Sequence, residues 1–169
     1  MSKMFEDDIG VAVITLLFRP YYGGAEKQLE RLTEALSSRG VKCCIVTRRL
    51  NDLKPFECLH MVPVYRVFAT RISSGLLSTL TFIISSCLFF ITHANITRRV
   101  RILQADSDSP GLIAVTVGKL FRKKVVIRMR GKRQLKGIKN SPFIKIVFKI
   151  ISSLSDAIVV QYDQIHDLN

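Results

Sequence analysis

Two adjacent glycines, Gly23 and Gly24, stand between the apolar run Val11–Leu17 and a helical pattern that begins at Ala25. Glycine lets a backbone turn sharply and lets a ligand come close to it. The first turn of the helix that follows leaves N–H groups unsatisfied, at the positive end of the helix dipole. A glycine turn opening a helix is therefore built to receive a phosphate or a sugar oxygen. Its alternative reading is a tight connection with no ligand.

Two further stretches carry chemistry. "ADSDSPG" holds Asp106 and Asp108, whose carboxylates are suited to orienting a hydroxyl or accepting a proton; ordinary loop and cap chemistry, at Ser109 especially, is the competing account. "RMRGKRQLKGIKN" supplies Arg128 and Arg130, then Lys132, Arg133, Lys136 and Lys139, cations of one sign around two glycines. They either meet an anionic ligand or are simply solvated. The turn at Gly23 is no dinucleotide fingerprint: the three-glycine pattern is absent, and Arg48 and Arg49 follow the second strand where an acidic residue would meet a ribose. The four cysteines, Cys43, Cys44, Cys58 and Cys87, form no zinc-type spacing, so no metal site is expected, and they read as plain buried thiols of a reducing compartment.

The elements that must position these residues alternate. Continuous β-branched runs suit strands buried on both faces of a parallel sheet: Val11–Leu17, Val41–Thr47, Met61–Phe68, Val100–Ala105, Lys124–Met129 and Asp156–Tyr162. Between them lie helical patterns. Ala25, Leu29, Leu32 and Leu36 recur at helical spacing up to Gly40, which ends that helix. Ser109-Pro110 and Ser141-Pro142 read as N-cap and first-turn pairs. The helix after Ser141 has Phe143, Ile146, Val147, Ile150 and Leu154 as its apolar face. The expected fold is a single α/β domain over residues 1–169, a Rossmann-like, doubly wound, mostly parallel sheet of about six strands with helices on both faces. With the strand order 3-2-1-4-5-6, the turns led by Phe18 and Asp106 emerge side by side at the reversal, where such sheets bind ligands.

From Ile72 to Thr97 no formally charged side chain occurs. Ser74, Ser78, Thr81, Ser85 and Thr92 fall on one stripe and Leu77, Leu80, Ile84, Cys87, Leu88 and Ile91 on the other side, as in an amphipathic crossover helix packed on the sheet; a helix that also dips into a membrane surface, or one that spans it, are the alternatives. His93 reads as an ordinary polar residue near the helix end. The net charge of +13 favours anionic partners. Nucleic acid is disfavoured, because no recognised motif is present and aromatics are not interleaved with the cations.

In this order the elements resemble the amino-terminal half of the retaining nucleotide-sugar glycosyltransferases of family 4, which have the GT-B architecture of two facing Rossmann-like domains. The resemblance is carried by "GGAEKQLERLTEALSSRGVKCCIVT", "VPVYRV", "ILQADSDSPGLIAVTVGKLFRKKVVIR" and "SDAIVVQYDQIHDL" and covers nearly the whole chain. It implies that Gly23 and Gly24 lie against the donor diphosphate and the acceptor; Asp106, Asp108, Arg128 and Arg130 join them as candidate binding residues from the reading of their own loops. It implies a nucleotide-sugar donor as substrate with no other cofactor, and an anionic or lipid-linked acceptor. The thiols and the lack of a secretory signal point separately to a cytoplasmic protein, with a peripheral place on the inner face of the membrane as the further option. Where many members place a histidine after the fifth strand this chain has Arg130, which cannot act as a base. The donor-binding carboxyl-terminal half is expected to be absent, leaving a half inactive alone that needs that half or a partner subunit. The alternative function is a non-catalytic Rossmann module for anionic lipid or phosphate.

Overall fold

In the computed structural model, residues 9–20, 23–50, 53–70, 75–106, 108–130 and 142–161 are described, with the backbone alone at Asp108, Arg130, Phe143 and Gln161. In chain order the elements are β1 (Val11–Thr15), α1 (Gly24–Ser38), β2 (Cys43–Arg48), β3 (Phe56–Leu59), β4 (Val62–Val67), α2 (Gly75–Thr92), α3 (Ala94–Arg99), β5 (Ile102–Asp106), α4 (Asp108–Phe121), β6 (Lys124–Arg130), α5 (Pro142–Leu154) and β7 (Ala157–Gln161). They form one sheet in the order β3-β4-β2-β1-β5-β6-β7. Every pairing is parallel except β3 with β4. Without β3 this is the expected order, reversing between β1 and β5.

Strand β3 is the addition. It pairs antiparallel with β4 through a turn at His60 and Met61, whose φ values are +47° and +67°. Such a turn normally advertises itself with Asn-Gly or Asp-Gly. Here neither residue does, so the hairpin is silent in the sequence. At the end of α1, Gly40 adopts φ +76°, the left-handed conformation expected of it. Helix α4 begins at Asp108, so Ser109 and Pro110 lie inside its first turn, not at its cap; proline is tolerated there because the first N–H groups have no helical partner. Ser141 lies outside the described residues, while Pro142 does open α5.

Side chains of successive strand residues alternate between two cores. On one face, Ala12, Ile14, Cys44, Val46, Leu103 and Ala105 meet Phe82 and Phe90 of α2, Ile113 and Val117 of α4 and Ile151 of α5. On the other, Val11, Val13, Cys43, Ile45 and Val64 meet Leu29 of α1, with Leu36 packed against them. Helix α2 is the crossover between β4 and β5, as expected, but its orientation reverses the sequence reading. Ser78, Phe82, Ser86 and Phe90 face the sheet. Leu77, Leu80, Ile84, Leu88 and Ile91 are exposed. Small and large residues four apart interlock with the sheet surface: serines admit the close approach and phenylalanines fill the spaces between. Helix α5 departs in the same way. It buries Ile151 and half-buries Val147, whereas Ile146, Ile150 and Leu154, assigned to its apolar face, are exposed; the Phe143 side chain lies outside the described residues.

Candidate functional site

The registers Ile14↔Ala105 and Ala105↔Ile127 bring the carboxyl ends of β1, β5 and β6 together at one edge of the sheet. From β1 the chain reaches α1 by way of Phe18, which is buried against the core under α1. Arg19 pairs with Glu30 of α1 at 2.6 Å, and its carbonyl accepts a hydrogen bond from Arg66 at 3.0 Å. The buried Arg66 guanidinium also pairs with Glu57. These contacts tie the β1–α1 turn to both α1 and β4.

Gly23 is the N-cap of α1, extended at φ −93° and ψ 176°, and no side chain caps the helix there. A Cβ at Gly23 would stand 2.4 Å from Glu26 Oε2. The Glu26 carboxylate therefore already lies over that glycine, next to the positive helix end that favours it. Gly24 is different: a Cβ there would meet no described protein atom within 4 Å. Its glycine is thus not demanded by packing against described residues.

Asp106 and Arg128 are brought together, with each other. They are cross-strand partners in the β5–β6 register. Arg128 Nε donates to Asp106 Oδ1 and Nη2 to Oδ2, both at 2.7 Å, and both residues are buried. This is the bidentate geometry that guanidinium and carboxylate favour. Both groups are committed to one another, and the pair fixes the end of β5 against β6 at the sheet reversal. Asp108 is the first residue of α4, and Arg130 the last of β6. The run Lys132, Arg133, Lys136 and Lys139 lies outside the described residues.

Sequence reasoning missed the polar character of the sheet face under α1. Besides Asp106 and Arg128, Thr47 and Arg66 are buried there, and Gln104 and Arg128 line a cavity of about 400 Å³ with Gln28, Arg31 and Leu32 of α1. The signal was available as the polar residues at alternate positions of β4, β5 and β6, which the apolar neighbours masked. A second concavity of about 390 Å³ lies beside α1, lined by Arg19, Lys27, Glu30, Arg31, Glu34 and His60. Glu30, Glu34 and His60 bring one ligand atom each to within 4.8 Å of one another, but the Arg19 guanidinium already meets the Glu30 carboxylate.

The cysteines are free thiols. Burial pushes Cys43 up to about 11, and Cys44, with Cys43 beside it, up to about 12. Burial also raises Cys87. These three are inert at neutral pH. Cys58 departs from the expectation of buried thiols: it is exposed, because it lies on the edge strand β3. His93 is exposed and stacks on Phe89, with ring centroids 4.4 Å apart.

No family model matches the chain, and no curated protein sequence matches it. Solved structures do match. Sucrose-phosphate synthase from Thermosynechococcus elongatus superposes with a TM-score of 0.68 at 14% identity, over 92% of this chain and 43% of that one. Os79 from O. sativa, solved in complex with UDP, gives a TM-score of 0.61 at 13% identity, over 90% and 46%. MurG from Acinetobacter baumannii gives 0.55 at 10% identity, over 90% and 41%. These are GT-B glycosyltransferases, and the chain has the Rossmann-like fold of one half of that architecture. It spans less than half the length of each.

Proposed function

We propose that the chain is the acceptor-side half of a glycosyltransferase that moves a sugar from a nucleotide-sugar donor to an anionic or lipid-linked acceptor. The observation that carries this reading is the amino terminus of α1. It opens at the sheet reversal with no side-chain cap, and above Gly24 there is room that no described protein atom claims. The likeness to glycosyltransferases, one of them solved with UDP, supports a nucleotide diphosphate as the occupant. The N–H groups of the first turn of α1 would stabilise charge developing on the departing diphosphate. Arg128 is a positioning residue, since its guanidinium is used in holding Asp106. Contact with the anion then falls to Arg130 and the basic run after it, and Asp108 is the carboxylate left to orient an acceptor hydroxyl.

The test is sugar transfer from a UDP-sugar by this chain co-expressed with a donor-binding GT-B half. Gly24→Val is expected to abolish transfer while leaving the circular dichroism spectrum unchanged, because a Cβ at Gly24 meets no described protein atom within 4 Å. Unchanged turnover would remove the loop from the site. The non-catalytic alternative, which the excess of cations favours, predicts anion binding that weakens with salt and no transfer.

A further inference from the structure

From the exposed face of α2 we infer that this protein docks on an anionic lipid bilayer, with α2 lying in the plane of the interface. The inference is independent of sugar transfer. Leu76, Leu77, Leu80, Ile84, Leu88 and Ile91 are between 41% and 77% exposed, and they follow one another along an uncharged helix of 18 residues. At 1.5 Å per residue that is an apolar surface about 27 Å long. Soluble surfaces scatter single apolar residues and seldom align them in this way.

Two observations choose lipid over a protein partner. First, the threonine hydroxyls of this helix are satisfied inside the protein. Thr79 Oγ1 donates to the Gly75 carbonyl at 2.7 Å, Thr81 Oγ1 donates to the Leu77 carbonyl at 3.0 Å and accepts from the Thr70 backbone N–H at 3.1 Å, and Thr92 Oγ1 donates to the Leu88 carbonyl at 2.8 Å. Hydroxyls satisfied in this way can enter an apolar medium without leaving a donor unpaired.

Second, the charge around the stripe has one sign. Between Glu57 and Asp156 the only acidic residues are Asp106 and Asp108, and Asp106 is buried against Arg128. Helices α2 and α4 both run from the ligand edge of the sheet to the opposite edge. There Arg98 and Arg99 end α3, which follows α2, Lys119 lies in the last turn of α4 and Arg122 just after it, and the Lys123 ammonium, 2.8 Å from the Arg98 carbonyl, joins the two ends. Cations at the foot of an apolar stripe complement an anionic headgroup layer. Beyond α4, helix α5 repeats the pattern, with Ile146 and Ile150 exposed beside Lys145 and Lys149.

A transmembrane course for α2 is excluded by the sheet. The helix connects β4 and β5, which lie in one sheet, and its Ser78, Phe82, Ser86 and Phe90 side is buried in the protein. Arg48 also donates to Ser78 Oγ at 3.0 Å, pinning the first turns of the helix to β2.

The experiment is flotation of the chain with phosphatidylcholine vesicles containing about 30 mol% phosphatidylglycerol, against vesicles of phosphatidylcholine alone. The chain is expected to float with the anionic vesicles and to be released by about 0.5 M NaCl. Ile84→Glu with Leu88→Glu should weaken binding at least about tenfold with an unaltered circular dichroism spectrum, since both side chains are exposed. Arg98→Ala and Lys119→Ala should each weaken it about fivefold. The chain has no tryptophan, so Leu88→Trp gives a clean fluorescence probe whose emission should shift to the blue on anionic vesicles.

Equal flotation with both vesicle types would overturn the proposal. So would binding unaffected by the double glutamate variant, or a chain that ignores vesicles and forms a dimer which that variant dissociates. The double variant is expected to retain transfer to a water-soluble acceptor. Vesicle binding without transfer would therefore sink only the proposed function, and transfer without vesicle binding only this inference.

Discussion

The two faces of the sheet solve opposite problems. Under α1 the strands present Thr47, Arg66, Gln104, Asp106 and Arg128 among the apolar residues, and the helix above turns Glu26, Lys27, Glu30, Arg31 and Glu34 away from its buried Leu29. Under α2, α4 and α5 the strands present almost only apolar side chains, and two of the three helices carry apolar residues on their outer surface as well. A polar interior with a charged exterior suits a face that surrounds a hydrated, charged ligand. An apolar interior with an apolar exterior has no use for water on its far side. The contrast teaches that hydrophobic content alone does not say which side of a helix is the inside. On α1 charge decides it; on α2, with no charge to consult, the fit of Ser78, Phe82, Ser86 and Phe90 against the strands decides it.

The comparison is broken most severely through the polar face. Arg128→Met leaves the buried Asp106 carboxylate without its guanidinium and should cost about 3–5 kcal/mol in urea unfolding. Adding Asp106→Leu to that variant should recover most of the loss, because an apolar pair of similar volume needs no compensation. If the single variant unfolds at the wild-type midpoint, the polar face is not held by this pair.

A smaller change of opposite sign is expected under α2. The Ser86 hydroxyl is fully buried and has no hydrogen-bond partner among the described residues. Ser86→Ala should therefore raise stability by about 1 kcal/mol. Ile84→Ser, two residues away but outward, should change it by less than about 0.5 kcal/mol. Equal losses at both positions would mean that α2 is turned the other way.

The smallest effect lies at the edge of the sheet formed by the amino ends of the strands. Hydrogen bonds from the Lys124 side chain and the Val125 backbone N–H hold the Asp156 pKa below its usual value. A lowered folded-state pKa contributes stability above the unfolded value near 3.8, and this is lost as pH falls through the folded pKa. Asp156→Asn should lower stability slightly at neutral pH, and the difference from the wild type should vanish as pH falls below about 4. The same hydrogen bond raises Lys124 above its ordinary 10.5, so the Lys124 contribution is complete below that value and disappears as pH rises through the raised one.

Sequence by itself determined the alternation of strands and helices, the parallel sheet and the reversal beside β1. These follow from local signals: β-branched runs, the glycine pair, the glycine after α1, and the short connections that admit one handedness. It also marked the turn at Gly23 and Gly24, Asp106 and Arg128 as lying toward the carboxyl ends of the strands, beside that reversal. The tertiary structure alone decided that Asp106 and Arg128 face each other, since their pairing depends on a register between strands far apart in the chain. It alone revealed β3, whose turn lacks the residues that usually announce one. And it alone turned the leucines of α2 outward, because a helix apolar on nearly every side takes its orientation from shape complementarity with the surface beneath it, which no one-dimensional pattern encodes.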